Sequence, residues 1–266
     1  MKNLFAKLKE EKRAGLVIFL TCGDPSMEFT EKLVERVCKA GADVVELGVP
    51  FSDPMADGKT IQISSARAIK AGATFAKVLD LVARLRAKGI DKKLVLFSYF
   101  NPIFHYGTAR AVKQSKEAGV DAWLVVDVPM EESDEIRQYT TPLGIDFVPL
   151  AAPTSSPERI REISEHGSGM LYYVSIAGVT GARTKLPDGF QSRMQAVCKA
   201  SKLPVGVGFG ISTPQMASAV ASVADAVIVG SKFIDTVYKT YVEKGENAAL
   251  EAAENFVRPL AAALKK

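Results

Sequence analysis

Eight short apolar runs alternate with segments of helical periodicity, and this alternation constrains the fold more than any other feature of the chain. The runs begin at Leu16, Asp43, Lys93, Asp121, Ile145, Met170, Pro204 and Asp225. Their near-continuous hydrophobicity is typical of parallel strands that are buried on both faces. Eight repeats of strand and helix predict an α/β fold, a single closed (β/α)8 barrel of the TIM type.

The segments between the runs have the signals of helices. One apolar face at a period near 3.6 residues is formed by Phe75, Val78, Leu79, Val82 and Leu85. Ser156 followed by Pro157, and Thr213 followed by Pro214, are typical of a capping residue and a first helical turn. We therefore expect helices to begin at these two positions and to cover the barrel.

Two further helices are predicted near the ends of the chain. Leu4, Phe5 and Leu8 indicate an extra N-terminal helix, which we expect to pack on the bottom of the barrel. The pattern over residues 248–264 predicts a final outer helix that Pro259 bends or breaks. An open doubly wound sheet is the alternative architecture, but the GVGFG segment that suggests it lacks the full GxGxxG spacing.

Composition fits one cytoplasmic domain over residues 1–266. Hydrophobic residues make up 47% of the chain, and no low-complexity linker divides it. A net charge of +4 with scattered basic residues argues against nucleic-acid binding, and three cysteines without a CxxC pair argue against a disulfide framework. No run approaches the roughly 20 apolar residues of a membrane span, and the first residues do not resemble a signal peptide.

The interval between the second and third runs is unusually long. These runs begin at Asp43 and Lys93, whereas most starts lie about 20 to 35 residues apart. The extra length follows the second run directly, at the expected C-terminal end of its strand. Barrel enzymes carry their chemistry at that end, so we predict a long functional loop there.

Glu46 lies inside the apolar second run, DVVELG. A buried carboxylate is costly unless something compensates it, and a structural ion pair is one explanation. General acid–base catalysis is the other, because desolvation raises the pKa of a glutamate from about 4.3 towards neutrality. We predict the catalytic role for Glu46.

Two aspartates follow in the loop FSDPMADGKTIQ. Asp-Pro and Asp-Gly are common turn dipeptides, and turn formation is a sufficient explanation of Asp53. Asp57 is the better catalytic candidate, because the loop should return over the mouth that Glu46 faces. Two carboxylates in different surroundings can take different proton-transfer roles.

Glycines at the ends of the last two runs predict a phosphate site. Gly208 and Gly210 end the seventh run, and Gly230 with Ser231 ends the eighth. Glycine lets backbone N–H groups approach an anion, and the N-terminus of the following helix favours negative charge. Barrels often bind phosphate at this position.

The segment at residues 178–189, the lack of a Schiff-base lysine and the lack of metal-ligand spacing also bear on the function. The glycines and polar residues of this segment predict a lid over the site. No run ends in a lysine that could form a Schiff base. His105 and His166 lie in different segments without metal-ligand spacing, so we predict no metal site and a surface or packing role for each. Cofactor-free acid–base catalysis by carboxylates remains.

Six segments, taken in order, carry a family resemblance. They are FLTCGDP, ELGVPFSDPMADGKTIQ, FNPIFHYG, VVDVPMEES, SIAGVTGAR and GFGIS. The chain closely resembles tryptophan synthase alpha chains over essentially its whole length. The resemblance implies retro-aldol cleavage of indole-3-glycerol phosphate to indole and glyceraldehyde 3-phosphate, with no cofactor in this chain. It also implies a pyridoxal-phosphate-dependent beta subunit as partner in an alpha–beta–beta–alpha complex.

The resemblance also assigns roles to residues. Glu46 is implied to transfer the protons, and Asp57 to hold the indole N–H and stabilise positive charge there. The other implied substrate-binding residues are Phe19 and Tyr99 in the indole pocket, Tyr172 beside it, Thr180 in the lid, and Gly181, Gly210, Gly230 and Ser231 at the phosphate.

Two positions depart from the family pattern, and several functions stay open. Lys59 stands where the family usually has proline, so we expect a looser loop and a cation that favours ionised Asp57. Ile176 stands where the lid often has arginine, which bears on partner signalling. The alternatives are a stand-alone indole-3-glycerol-phosphate lyase, a catalytically silent activator of a beta subunit, and another phosphosugar isomerase. Intact Glu46 and Asp57 argue against the silent activator.

Overall fold

Strands and helices alternate along the part of the chain that the computed structural model describes, which is residues 1–174, 186, 188–208 and 210–265. The strands are β1 (Gly15–Thr21), β2 (Val44–Gly48), β3 (Lys93–Ser98), β4 (Ala122–Val125), β5 (Asp146–Phe147), β6 (Leu150–Ala151), β7 (Leu171–Val174), β8 (Val205–Gly208) and β9 (Ala226–Val229). The helices are α1 (Lys2–Glu10), α2 (Met27–Ala40), α3 (Lys59–Lys70), α4 (Phe75–Ala87), α5 (Phe100–Tyr106), α6 (Thr108–Ala118), α7 (Asp134–Thr140), α8 (Pro157–His166), α9 (Phe190–Ala200), α10 (Pro214–Ala221), α11 (Ser231–Lys244) and α12 (Glu246–Ala262).

The strands form one parallel sheet, and the two strands at its ends, β5 and β6, are consecutive in the chain. Its order is β5-β4-β3-β2-β1-β9-β8-β7-β6. Trp123 of β4 pairs with Phe147 of β5, and Leu150 of β6 pairs with Tyr172 of β7. Pro149 lies between β5 and β6 and has no N–H to donate, which interrupts the ladder. β5 and β6 are therefore halves of the fifth predicted strand, the eight-strand barrel is confirmed, and the open sheet is wrong.

The predicted helix starts are confirmed by their capping bonds. Ser156 Oγ accepts the N–H of Arg159 at 3.2 Å, and Thr213 Oγ1 accepts that of Met216 at 3.3 Å. The apolar face predicted for α4 is buried, as expected for a helix that covers the sheet. α12 continues through Pro259 to Ala262, so the proline does not break this helix.

The N-terminal helix closes the bottom of the barrel, as predicted. Phe5 and Leu8 belong to the same apolar cluster as the inward-facing residues at the start of the strands. That inner layer contains Val17, Val44, Val95, Leu124, Met170, Ala226 and Ile228. Leu8 packs so closely on β1 that a Cβ atom added to Gly15 would lie 3.0 Å from its Cδ1. The bottom is thereby filled, which leaves the opposite end for a site.

The long interval after β2 contains a helix as well as a loop. The chain leaves β2 at Gly48, forms a loop over residues 49–58, and then enters α3 before α4. The extra length therefore consists of a loop of about ten residues and one additional helix. The expectation of a long loop alone is corrected by the presence of this helix. Within the described residues, no helix combines the length and apolarity that crossing a membrane needs.

Candidate active site

A cavity of about 760 Å³ lies at the C-terminal ends of the strands. Six of the predicted site residues line it: Phe19, Asp57, Tyr172, Gly210, Gly230 and Ser231. They come from β1, from the loop after β2, from β7, and from the ends of β8 and β9. Neither Glu46 nor Tyr99 is among the lining residues, and their positions are described next.

Glu46 occupies the middle of β2, where it is fully buried. It pairs in register with Phe19 of β1 and Val95 of β3, and its side chain shares the inward parity of Val44. Neither carboxylate oxygen has a hydrogen-bond partner within the described part of the chain. Burial therefore raises the pKa of Glu46 to about 8. A carboxyl with this pKa can both give and accept a proton near neutral pH.

Tyr172 stands near both carboxylates on the inner face of β7. Burial, together with the negative charges of Glu46 and Asp57, raises the pKa of its hydroxyl well above the ordinary value. The hydroxyl therefore stays protonated at neutral pH and is available as a hydrogen-bond donor. Its ring lies 6.4 Å from that of Phe97 between centroids, and Phe97 in turn packs edge-on against Phe19. These three aromatic rings form an apolar wall.

The raised pKa of Glu46 gives a stability prediction. The folded pKa of about 8 exceeds the ordinary 4.5, so the folded state holds a proton that the unfolded state releases. The free energy of unfolding should fall as pH rises from about 4.5 to about 8, by up to about 1.4 kcal/mol per pH unit, and then level off. Glu46→Gln should remove this slope. Thermal unfolding of both proteins at pH 5 and pH 8 checks it, and equal slopes would contradict it.

Asp57 is held at the cavity edge by three hydrogen bonds of its loop. The Tyr99 hydroxyl donates to Asp57 Oδ2 at 3.1 Å, and the Ala56 N–H donates to that same hydroxyl at 3.0 Å. Gln62 Nε2 donates to the Asp57 carbonyl at 2.8 Å. Burial raises the pKa of Asp57 to about 6, while the bond from Tyr99 opposes that rise. Asp57 is mostly ionised at neutral pH, whereas Glu46 is mostly protonated.

The structure places Tyr99 behind Asp57. Its side chain is almost fully buried, and its ring packs on Phe51 with centroids 5.2 Å apart. The hydroxyl is engaged by Ala56 and Asp57. Tyr99 therefore supports the loop that carries Asp57 and does not itself line the cavity.

Lys59 does not influence Asp57 in the expected way. Its exposed side chain begins α3, and the pKa of Asp57 is shifted by burial and by Tyr99 alone. The loop is tied by the Asp57 N–H, which donates to the Pro54 carbonyl at 3.0 Å, and by Gln62. The expectation of a cation that stabilises ionised Asp57 is therefore wrong, because the lysine side chain extends into solvent.

Three of the predicted phosphate residues, Gly210, Gly230 and Ser231, line the cavity. Gly210 has a φ of +63°, a conformation that favours glycine. A Cβ atom at Gly208 would lie 2.8 Å from the Tyr172 hydroxyl, so only glycine fits there. Gly230 precedes the first residue of α11, Ser231, whose side chain is buried. Gly230 and Ser231 both line the cavity, and the first N–H groups of a helix have no partner within the helix, so a helix start at this position favours an anion.

Sequence reasoning missed the wall of the cavity formed by β3, β4 and the fifth strand. Phe97, Val126 and Leu150 line it from inward positions. Phe97 could have been predicted, because Glu46 and Val95 are in register and side chains two residues apart share a face. The contributions of Val126 and Leu150 depend on where the strands end, which the apolar pattern does not define.

Several predicted residues lie outside the described part of the chain. These are Thr180 and Gly181 of the substrate site and Ile176 in the same segment. Of the proposed lid at residues 178–189, the structure describes only Leu186, Asp188 and Gly189.

Among residues 1–174, 186, 188–208 and 210–265, no cluster of three or more histidine, cysteine, aspartate or glutamate side chains could hold a metal ion. His105 and His166 are both exposed, one of the two kinds of position predicted for them. The cavity itself is lined by Asp57, Tyr172 and the glycines at the ends of β8 and β9.

The fold and the cavity together define a class: a (β/α)8 barrel with two carboxylates of raised pKa and a glycine-lined anion end at its catalytic face. The model of the family "Tryptophan synthase alpha chain" matches residues 5–265. The alpha chain of Citrifermentans bemidjiense is 49% identical over 261 residues, covering 98% of this chain and 96% of that one. The alpha chain of Geotalea daltonii is 50% identical over 232 residues, covering 87% and 88%.

Solved structures agree. A tryptophan synthase subunit alpha from Legionella pneumophila superposes with a TM-score of 0.91 at 38% identity, covering 98% of this chain and 97% of that one. A chain of Mycobacterium tuberculosis tryptophan synthase superposes with a TM-score of 0.88 at 28% identity, covering 99% and 97%. The chain belongs to the tryptophan synthase alpha chain family. It is a carbon–carbon lyase of tryptophan biosynthesis that cleaves indole-3-glycerol phosphate to indole and glyceraldehyde 3-phosphate.

Proposed function

We propose that Glu46 is the acid–base catalyst of this cleavage and that this chain uses no cofactor for it. The observation that supports the role is a fully buried carboxylate without a hydrogen-bond partner among the described residues, with a pKa of about 8. A proton from Glu46 goes to indole C3, and the Glu46 carboxylate formed in this way takes the proton of the C1 hydroxyl of the glycerol chain. The bond between these carbons breaks, its electrons return to the indole ring, and an aldehyde forms at C1.

Asp57 is proposed to bind the indole N–H and to stabilise the positive charge that C3 protonation places on the ring. Its carboxylate lies at the cavity edge and is mostly ionised at neutral pH, since its pKa is about 6. A fixed negative charge aimed at a developing positive charge lowers the barrier without reorganisation. Phe19 and Tyr172 provide the apolar and hydroxyl surfaces beside the ring.

The substrate phosphate is proposed to bind backbone N–H groups around Gly210, Gly230 and Ser231. Thr180 and Gly181 belong to this proposal on sequence grounds alone. Backbone donors and a helix N-terminus hold a phosphate without a lysine. This arrangement places the phosphate at the β8–β9 side of the barrel and the indole towards Asp57.

Gly210→Val should therefore weaken binding of glycerol 3-phosphate at least about tenfold, because the added side chain intrudes on the anion and the residue has a φ of +63°. Gly144→Val is the matched control. Gly144 has a φ of +67° but no heavy atom within 4 Å of an added Cβ, and it lies outside the cavity. Calorimetric titration of both variants separates strain from binding. Affinity unchanged within about twofold in Gly210→Val would put the phosphate elsewhere.

We further propose that the catalytic face docks on a beta subunit, which carries pyridoxal phosphate, in an alpha–beta–beta–alpha complex. Two large apolar side chains are exposed around this face: Met55, at 86%, in the loop after β2 and Phe104, at 64%, in α5. Met55 also lines the cavity, so a partner that covers it would adjoin the site where indole forms. Exposed apolar groups of this kind mark interaction surfaces. The site of action would be the cytoplasm, with residues 1–266 acting as one domain.

A spectroscopic assay of indole release, with and without a beta chain, tests these proposals together. The chain alone should cleave indole-3-glycerol phosphate slowly, and the beta chain should accelerate it. Full turnover without the partner would favour the stand-alone lyase. No turnover in either case would favour the silent activator. Phe104→Lys should weaken the acceleration and leave the rate of the isolated chain unchanged, because Phe104 is exposed and does not line the cavity.

A further inference from the structure

Helix α3 is attached to the barrel in an unusual way. Its buried residues are Ser64, Ser65 and Ala68, whereas Ile63 and Ile69 are 45% and 40% exposed. A helix that covers a barrel usually buries its large apolar side chains. α3 buries little apolar surface, so its position depends on polar contacts, each of which requires a defined geometry.

Those polar contacts lie on one face of α3. Thr60 Oγ1 donates to Asp235 Oδ2 of α11 at 3.3 Å, and Ser64 Oγ lies 2.6 Å from Thr21 Oγ1 at the end of β1. Arg67 follows at the next position of the same face, since residues three and four apart are neighbours on a helix. The three residues link α3 to two different parts of the barrel.

Arg67 makes the strongest of these links. Its Nε and Nη2 atoms donate to the two carboxylate oxygens of Asp24 at 2.7 and 2.6 Å. Asp24 lies in the loop between β1 and α2, and its side chain is 6% exposed. The guanidinium also stacks on the ring of Tyr238 in α11, 3.4 Å from the ring centroid. A bidentate pair and a stacking contact fix both the distance and the plane of the arginine.

α3 carries the catalytic loop on one side and adjoins the phosphate end on the other. Its N-terminus follows Asp57 after a single residue, Gly58, and Gln62 of its first turn donates to the Asp57 carbonyl. α11, which Arg67 contacts through Tyr238, begins with Ser231, which lines the cavity as Asp57 does. A shift of α3 would therefore move Asp57 relative to Ser231.

We propose that Arg67 is a positioning residue for the lyase reaction: by linking α3 to the β1–α2 loop and to α11, it fixes the Asp57 carboxylate relative to the phosphate-binding end of the cavity. The proposal rests on the catalytic role of Asp57 proposed above. Lysine cannot replace this arginine, because a single ammonium group cannot donate to both oxygens of Asp24 and stack on Tyr238.

Arg67→Lys in the full chain should lower kcat for indole-3-glycerol phosphate at least about tenfold, because small misplacements of a catalytic group cost large factors in rate. Binding of glycerol 3-phosphate should change less than about twofold. The acidic limb of the pH profile should move to higher pH, since a displaced Asp57 loses the Tyr99 bond that lowers its pKa. A purely structural role would leave the profile where it is.

Arg86→Lys is the matched control. Arg86 has the same 23% side-chain exposure as Arg67 and also pairs with an aspartate, Asp121, but it lies at the bottom of the barrel. It should lose thermal stability without the kinetic changes. Tyr238→Leu should reproduce part of the kinetic loss of Arg67→Lys, whereas Tyr238→Phe keeps the aromatic ring and should have wild-type kinetics. These two variants test the proposal even if Arg67→Lys folds poorly.

The outcomes separate this inference from the function it builds on. Unchanged kcat and pH profile in Arg67→Lys and Tyr238→Leu, with Asp57→Asn inactive, would overturn the role of Arg67 alone. An active Asp57→Asn would overturn the role of Asp57 itself. Equal kinetic losses in Arg86→Lys and Arg67→Lys would reduce the effect to general stability.

Discussion

Glu46→Gln should abolish indole release while the barrel stays folded. Glutamine keeps the size and shape of the side chain but cannot give or accept a proton. General acid–base transfer is typically worth about 10² to 10⁴ in rate, and the cleavage needs a proton at C3 and the removal of another from the hydroxyl. We expect kcat to fall at least about 10³-fold in the spectroscopic indole assay.

The structure makes this substitution an unusually clean test. Within the described residues, neither oxygen of Glu46 has a hydrogen-bond partner, so glutamine breaks no such bond there. Binding of glycerol 3-phosphate should be unaffected, because this ligand lacks the indole ring and its phosphate is proposed to bind at Gly210, Gly230 and Ser231. Retention of more than about a tenth of the wild-type turnover would return Glu46 to a structural role.

Asp57→Asn should lower kcat by about 10² to 10³, the range observed when one electrostatic stabiliser is removed from an active site. The asparagine oxygen can still accept the bond from Tyr99, so the loop should keep its position. The lost quantity is the negative charge opposite the indole nitrogen. Circular dichroism and thermal unfolding should be nearly unchanged, and a variant as active as wild type would leave Asp57 with a role in the turn only.

The two carboxylates also predict the pH profile. The rate should rise as Asp57 ionises around pH 6 and fall as Glu46 loses its proton around pH 8, because the reaction begins with ionised Asp57 and protonated Glu46. Asp57→Asn should remove the acidic limb and leave the basic limb.

The barrel was predictable from the sequence because its strands are buried on both faces and its helices carry clear start signals. The burial of Glu46 was predictable for a related reason, since a carboxylate inside an apolar run lies on a strand that is buried on both faces. The division of the fifth strand into β5 and β6 was harder to predict, because Pro149 changes the hydrogen bonding without changing the apolar pattern.

The contacts that hold the site residues in position could not be predicted from the sequence. The positions of Tyr99 behind Asp57 and of Arg67 between Asp24 and Tyr238 depend on contacts between residues far apart in the chain. The helical pattern of α3 also conceals which face is buried, because its isoleucines and serines suggest the opposite orientation. The expectation for Lys59 was based on its nearness to Asp57 in sequence, but its side chain is exposed and does not contribute to the pKa shift of Asp57.

The interruption at Pro149 has a mechanical consequence for the cavity wall. Val148, Pro149 and Leu150 line the cavity at the point where the barrel is joined by the shortest ladders. Local opening requires the least free energy where the fewest hydrogen bonds must break. Among the described strands, we therefore expect the ladders beside Pro149 to open before those of the strands that carry Glu46 and the predicted phosphate residues.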